Sequence, residues 1–380
     1  MKKETVKGFN DFTGKEALKR LEIKKILINT FERYGFNPAE APIIEYEEFV
    51  KGDNSQDEAV SDIFKLQDKG KRKLALRYEL TFQLKRLMKN KKLPYKRFQI
   101  GEVFRDEPTT GNRFRQFTQC DADIIGTTIK DEAEILSLIK DMLDKLNIRF
   151  TICVNNRELL DEILDEQKIK NKEQVIKEVD KLDKLPEKQV LLNLKKFKAE
   201  KLLKIFKKPE KYFTKYKAYS EIKELKKYCN IYNVKIEFSP SLARGLSYYN
   251  KTIFEVKTKE MKETINAGGS YMFNGIQSSG FAFGLERLSM LAKIELEKEK
   301  TMIISLNQEK VAIKLAQKLR ENGEEITIFY GKPSKALEYA NSYDIGKVIF
   351  VGKEEVKKGK FKIKDMKTGK EKFISEKNLV

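Results

Sequence analysis

The 380-residue sequence predicts an α+β domain on a mainly antiparallel sheet, interrupted by a helical insertion and followed by a small C-terminal α/β domain. Three observations predict it. Strand-like and helix-like segments mix without strict βαβ alternation in residues 1–156 and again in 233–298. Between them, 157–232 is a lysine-crowded run of helical patterns such as EQVIKEVDKLDKL and KQVLLNLKKFKAEKLLKIF. Residues 300–380 then repeat a strand–helix scheme of their own.

Thr13 with Glu16 makes a capping box, after which Ile23, Leu27, Phe31 and Tyr34 share one helical face and Gly35 supplies the stop. In NPAEAPIIEYEEFV, Pro38 and Pro42 bracket an extended run, where missing amide donors suit a strand edge or an interface. LALRYELT, Leu74 to Thr81, alternates and passes into an apolar helix through Leu84 and Leu87. Thr128 and Asp131 cap a helix whose apolar face is Ile135, Ile139, Met142 and Leu146, and RFTICV follows as a strand. Sheet character returns at VKIEFSP and continues through KTIFEVK to SGFAFG. In the tail, TMIISL, EEITIFY and KVIFVG read as parallel strands. The first intervening helix carries Val311, Leu315 and Leu319 and ends at Asn322-Gly323, and a hairpin around Lys367-Thr368-Gly369 closes the unit.

A chain this long exceeds one ordinary core, so two or three domains are expected. No apolar run approaches the ~20 residues of a membrane helix, and MKKETVKGFND lacks the apolar block of a signal peptide. A cytoplasmic location with no membrane partner is the expectation. Cys120, Cys153 and Cys229 are widely spaced and form no CxxC pair, so reduced, buried cysteines are expected rather than disulfides or a metal site. The formal charge of +20 favours a polyanionic partner such as RNA, DNA or an anionic surface, although lysine enrichment also suits a solvated surface. The chain has no histidine, which removes the commonest general acid/base. Its chemistry must run on carboxylates, arginines, backbone dipoles or the substrate's own groups.

The densest chemistry lies in FRDEPTTGNRFRQFTQCDADIIG, Phe104 to Gly126. A strand, a short polar loop and a second strand would bring Arg105, Arg113 and Arg115 together, with Arg105 and Arg113 as forks for phosphate oxygens. An exposed hairpin with surface arginines fits the same residues. The following run weakens that reading: strand alternation puts Gln119, Asp121 and Asp123 on one face and Cys120, Ala122 and Ile124 on the other. Three polar side chains there make an odd core but a sensible pocket for an amino acid's ammonium and polar side chain.

Together these residues resemble motif 2 of the class II aminoacyl-tRNA synthetases, and QCDADIIG resembles the histidyl family in particular. KGFNDF at Lys7 is similar to that family's opening segment, GFNPAEAPIIE to motif 1 with its proline at Pro42, and LRYELT to its amino-acid-binding segment. NNRELLDEIL and VDKLDKL resemble its insertion region. SLARGLSYYNKTIFEV resembles the first histidyl motif, usually RGLDYY; AGGSYMF stands at the second, usually GGRYD; GFAFGLERLSML resembles motif 3. The ordered series covers most of the chain and implies a class II synthetase-like catalytic domain with an anticodon-binding-like tail.

The resemblance implies roles. Arg105 and Arg244 would be catalytic, both on the ATP α-phosphate, and Arg105 also on the amino-acid carboxylate. Arg287 would hold the γ-phosphate, while Glu107 and Arg113 frame adenine with Phe117 stacked on it. Glu79, Thr81 and Gln119 would hold the α-amino group, and Asp123 and Tyr249 would read the imidazole nitrogens. Tyr248 and Tyr271 would close the histidine site, which Arg244 also borders. The implied reaction makes histidyl-adenylate from ATP and histidine and transfers the acyl group to tRNA(His). It would be run by a homodimer paired through motif 1, with Mg2+ accompanying ATP.

Three departures stand out: Ser247 replaces the aspartate of RGLDYY, Ser270 and Met272 replace the arginine and second acid of GGRYD, and PTTGN lacks the usual arginine or glutamine. The last bears on the extra 5′ guanosine of the tRNA. The other reading is a non-catalytic, histidine-sensing regulatory subunit of the ATP phosphoribosyltransferase of histidine biosynthesis. Such relatives usually lose the ATP-binding arginines and the tail, and this chain keeps Arg105, Arg244, Arg287 and the tail.

Overall fold

The computed structural model describes residues 3–52, 60, 62–111, 113–183, 185–244, 248–296 and 300–379. They form two compact units, Met1–Ile294 and Glu295–Val380. In the first, the strands in chain order are β1 (Asn37–Pro38), β2 (Ile44–Tyr46), β3 (Lys65–Gln67), β4 (Lys73–Leu76), β5 (Tyr95–Phe104), β6 (Gln116–Ile125), β7 (Thr151–Asn156), β8 (Ile236–Phe238), β9 (Tyr249–Lys257), β10 (Asn266–Phe273) and β11 (Ile276–Gly284). Eight make one sheet in the order β1-β5-β6-β11-β10-β9-β7-β8, and β2-β4-β3 make a small antiparallel sheet. In the large sheet the outermost pairs, β1 with β5 and β7 with β8, run parallel, and the five pairs between them run antiparallel.

The helix Gly14–Arg33 buries Ile23, Leu27 and Phe31, and the Phe31 ring stacks on Phe98 of β5 at 4.7 Å. Each such side chain contributes about 1.5–3 kcal/mol by leaving water. The helix ends at Tyr34, and Gly35 takes φ +75, a left-handed value that suits glycine. Its expected capping box does not form: Thr13 is the N-cap but makes no side-chain cap bond. Gly14, at φ +56, turns the chain between cap and helix, so the Thr13 hydroxyl is not set over the amides it would cover. The box at Ile129–Lys145 does form, with Asp131 Oδ2 accepting from both the amide and hydroxyl of Thr128 at 2.7 Å. The predicted face Ile135, Ile139, Met142 and Leu146 is buried there.

Pro38 lies on an edge strand, where its missing donor costs nothing. The extended run after Pro42 is shorter than expected, because Glu47–Lys51 is helical. The helix after LALRYELT is a single turn, Leu84–Leu87. Arg77 stitches this region together: Nε donates to Glu102 O and Nη1 to Ala41 O, each at 2.7 Å. Its guanidinium fills the space that a side chain at Gly101 would occupy.

The described residues of 157–232 are mostly helical, from Arg157–Glu166 through Tyr219–Ile231. Their buried residues Leu159, Ile163, Val175, Val190 and Phe213 belong to the same core as Ile253 and Tyr271 of the sheet. Apolar packing thus runs from the helices into the sheet without a break. Cys120 and Cys229 are buried and reduced as expected, whereas Cys153 is only partly covered. Among the described residues, no helix is long and apolar enough to cross a membrane.

The second unit holds β12 (Thr301–Ser305), β13 (Ile326–Tyr330), β14 (Lys347–Val351), β15 (Lys360–Asp365) and β16 (Glu371–Ser375), in the order β13-β12-β14-β15-β16. The first three are parallel and the last two antiparallel. The helix Glu309–Glu321 buries Ala312, Leu315 and Leu319, with Val311 at the margin. Gly323 and Gly369 take positive φ at the two predicted turns.

Candidate active site

Strand register builds the site. Across β5 and β6, Arg97 faces Asp123, Gln99 faces Asp121 and Gly101 faces Gln119. Across β6 and β11, Asp123 faces Gly280 and Asp121 faces Ala282, and Gly280 in turn faces Gly269 on β10. Small residues on β11 and β10 thus leave room above the acids; a Cβ at Gly280 would overlap Asp123 Oδ1. Cys120, Ala122 and Ile124 point the other way, fully buried in the core, as the alternation predicts.

Asp123 is the centre of a polar cluster. The Tyr271 hydroxyl donates to its Oδ1 at 2.6 Å, and Arg97 Nη2 lies 2.6 Å from its Oδ2. The Tyr248 ring packs on Tyr249 at 4.6 Å and edge-on to Tyr271 at 5.6 Å. Burial, reinforced by neighbouring negative groups, pushes the Tyr248 and Tyr271 hydroxyls well above their ordinary value. Gln119 Nε2 donates to both oxygens of Asp121 at 3.1 Å. Burial raises Asp121 to about 8, against the opposing charge of Arg97.

Glu79 sits deep yet keeps accessible surface, as a cleft residue should. Its Oε1 accepts from Phe82 N at 3.2 Å. Burial raises it to about 7, with Arg105 opposing the shift and Asp123 adding to it. Thr81 is half-buried two residues on, and its carbonyl starts the one-turn helix by accepting from Leu84 N at 2.9 Å.

The arginine wall adjoins this pocket. Arg105 leaves the end of β5, donates from Nε to Tyr78 O at 3.1 Å and lies 5.1 Å from the Phe117 ring centre. Glu107 bridges it to Arg113, at 3.8 Å and 3.5 Å. Arg115 is instead held by Asp106 at 3.1 Å and by the Glu107 carbonyl at 3.2 Å. Arg287, in the helix Leu285–Leu291, donates to Thr264 O at 2.6 Å. Burial lowers its pKa; Glu263 opposes that shift, and the charges of Arg113 and Arg105 add to it. Arg105, Arg113 and Arg287 thus lie within electrostatic reach of one another, with Glu107 and Glu263 set among them. Arg244 donates from Nη1 to Glu255 Oε1 at 2.8 Å, and its Nε has no hydrogen-bond partner among the described residues.

The predicted residues therefore fall into two adjoining groups. Glu79, Gln119, Asp123, Tyr248, Tyr249 and Tyr271 are brought together, as are Arg105, Glu107, Arg113 and Phe117. Ser270 faces away from the pocket, donating to Glu132 Oε1 at 2.5 Å, and Met272 is exposed. Ser247 and Asn112 of PTTGN lie outside the described residues. Sequence reasoning missed Arg97. The alternation Arg97, Gln99, Gly101 in YKRFQIGEVF mirrors the polar face of β6 and carried the signal.

A profile described as histidyl-tRNA synthetase matches residues 8–288, and one for an anticodon binding domain matches 300–380. The chain belongs to the histidyl-tRNA synthetase family. Its relatives in that family include histidine–tRNA ligase 1 of Bacillus cereus, 32% identical with 98% of this chain and 97% of that protein covered. Histidine–tRNA ligase 1 of Bacillus anthracis is 34% identical over the same shares. Among solved structures, the histidyl-tRNA synthetase from Nostoc sp. PCC 7120 superposes with a TM-score of 0.87 at 22% identity, covering 100% of this chain and 99% of that one. An ATP phosphoribosyltransferase regulatory subunit/histidyl-tRNA synthetase from Bacillus halodurans gives 0.76 at 19%, covering 92% and 98%. At these identities the two structures establish the class II histidyl-tRNA synthetase fold alone.

Proposed function

We propose that the chain is a class II histidine–tRNA ligase that makes histidyl-adenylate from ATP and histidine, then passes the acyl group to tRNA(His). The observation that carries this reading is the junction of an acidic pocket with an arginine wall. The charge of Arg105 acts on Glu79 within the cluster, so one cation faces both halves. Glu79 and Gln119 hold the ammonium, with Thr81 beside them; Asp123 accepts a ring N–H, and the Tyr249 hydroxyl meets the second nitrogen. Tyr248 and Tyr271 enclose the ring.

Arg105 and Arg244 neutralise charge as the carboxylate attacks the α-phosphorus, and Arg287 restrains the γ-phosphate of the leaving pyrophosphate. Adenine lies against Phe117, framed by Glu107 and Arg113. In-line attack depends on positioning, and the adenylate phosphate can accept the proton during transfer, so the lack of histidine is no obstacle. Mg2+ would accompany ATP on its phosphates, where it neutralises developing charge.

The domain boundaries that accompany this reading are 1–156 and 233–298 for the catalytic domain, 157–232 for the insertion and 300–380 for the anticodon-binding domain. The proposed location is the cytoplasm and the proposed assembly a symmetric homodimer. Ile43, Ile44 and Tyr46, exposed on and beside edge strand β2, suit its interface. Sedimentation showing only monomer at working concentration would contradict the dimer. The decisive assay for the activity is histidine-dependent exchange of pyrophosphate into ATP. Histidine binding without exchange would replace the enzyme with the regulatory, histidine-sensing reading.

A further inference from the structure

The proposed mechanism leaves one buried charge without a task. Arg97 lies within β5 with none of its surface exposed, and an unpaired guanidinium there would be strongly destabilising. Its Nη2 meets Asp123 Oδ2 at 2.6 Å and donates to Leu80 O at 2.9 Å. Nε and Nη1 have no hydrogen-bond partner among the described residues, and the close approach to Asp123 Oδ2 lacks directed hydrogen-bond geometry. Charge, more than bond direction, defines the pair. A well-packed apolar side chain is often no less stabilising than a buried ion pair, so stability alone does not account for Arg97.

Its neighbour explains it better. A lone carboxylate reading a side chain would favour a cation: imidazolium, lysine or arginine. Paired with Arg97 and bonded to Tyr271, Asp123 keeps acceptor lone pairs but offers no net counter-charge. Neutral imidazole matches that, with one N–H to donate and one lone pair to accept. Imidazolium adds a charge that Arg97 repels.

We infer that Arg97 is a specificity-determining residue: by cancelling the charge of Asp123 it makes the pocket accept the histidine side chain as neutral imidazole and exclude cationic side chains. The inference rests on the amino-acid pocket proposed above. Other charged or titratable groups in the cluster are Asp121 on β6, Glu79 and Arg105 beside it, Tyr271 on β10, and Tyr248, Tyr249 and Arg244 at the β9 side. Glu79 and Asp121 are shifted into the neutral range, so both change charge over the pH span of interest.

The test therefore compares two ligands that share the ammonium and carboxylate. Histidine and 1,2,4-triazolylalanine, whose ring stays uncharged, are titrated calorimetrically into the intact protein between about pH 8 and pH 5.5. Effects of Glu79 and Asp121 on the shared groups cancel in the ratio of dissociation constants. The ratio of histidine to the triazole should rise roughly tenfold as imidazole protonates around its ordinary value near 6.5. A flat or falling ratio overturns the inference. Arg97→Met should flatten the ratio and Arg97→Lys should keep it; a folded Arg97→Met with the original slope removes the role from Arg97. If Arg97→Met does not fold, the ratio in the unaltered protein still decides whether neutral imidazole is selected. Failure of both ligands to bind at any pH would instead sink the histidine pocket itself, and the inference with it.

Discussion

Glu79 stands where the acidic pocket meets the arginine wall, and its raised pKa makes it a reporter of ligand binding. Burial lifts it from 4.5 to about 7, so near neutrality the empty site holds part of a proton. An ammonium favours the ionised form, so histidine binding just below pH 7 should release protons, detectable by calorimetry in buffers of different ionisation enthalpy. The sign for stability follows from the same shift. The folded state binds the proton more tightly than the unfolded chain, so Glu79 destabilises the unliganded protein as pH rises from about 4.5 to about 7. Glu79→Gln should flatten that decline in Tm and raise the KM for histidine roughly tenfold to a hundredfold, the cost of one charge-assisted bond. Arg105→Lys, which keeps the charge but loses the planar fork, should cut pyrophosphate exchange by roughly two orders of magnitude with the fold intact.

At the scale of the element, the site depends on which residues face one another across β5, β6, β11 and β10. Gly280 has no special backbone angle; it is required because Asp123 and the Ala122 carbonyl fill its side-chain volume. Gly280→Ala should displace a carboxylate that Tyr271 and Arg97 hold in place. The expected outcome is a folded protein whose affinity for histidine falls by at least about tenfold in equilibrium titration. Much of this was legible in the sequence, because Gln119, Asp121 and Asp123 share a face through period-two alternation alone. Arg97 was not, because its meaning depends on a cross-strand partner 26 positions away, and a single strand does not state its register. The two capping boxes divide in the same way. Thr128 and Asp131 form theirs from local chemistry, while Gly14 defeats the one at Thr13 through a backbone angle that spacing does not reveal.

At the scale of the molecule, a net charge of +20 has to find counterions. If tRNA supplies them, log affinity for tRNA should fall steeply and linearly with log salt concentration, with a slope that counts the phosphates neutralised. Binding of histidine alone, measured over the same range, should change far less. The parallel strands of the tail and its closing hairpin followed from periodicity and turn residues. What composition does not disclose is that the helices of 157–232 share a core with the sheet, since their lysine-rich faces advertise solvent while their buried residues meet Ile253 and Tyr271.

Arg77 and Gly101 tie these scales together. One guanidinium, set in the gap left by a missing side chain, pins the Ala41 segment to the end of β5, and the Arg77 carbonyl accepts from Phe104 N at 2.9 Å. It works as a linchpin: the edge that would meet a second subunit and the residue preceding Arg105 hang on the same residue, one through its side chain and the other through its carbonyl. A methyl group at position 101, remote in role from any reacting atom, should evict it and be felt at both ends. Gly101→Ala is therefore expected to lower ATP affinity and dimer stability together, in one variant that alters neither the nucleotide site nor the interface directly.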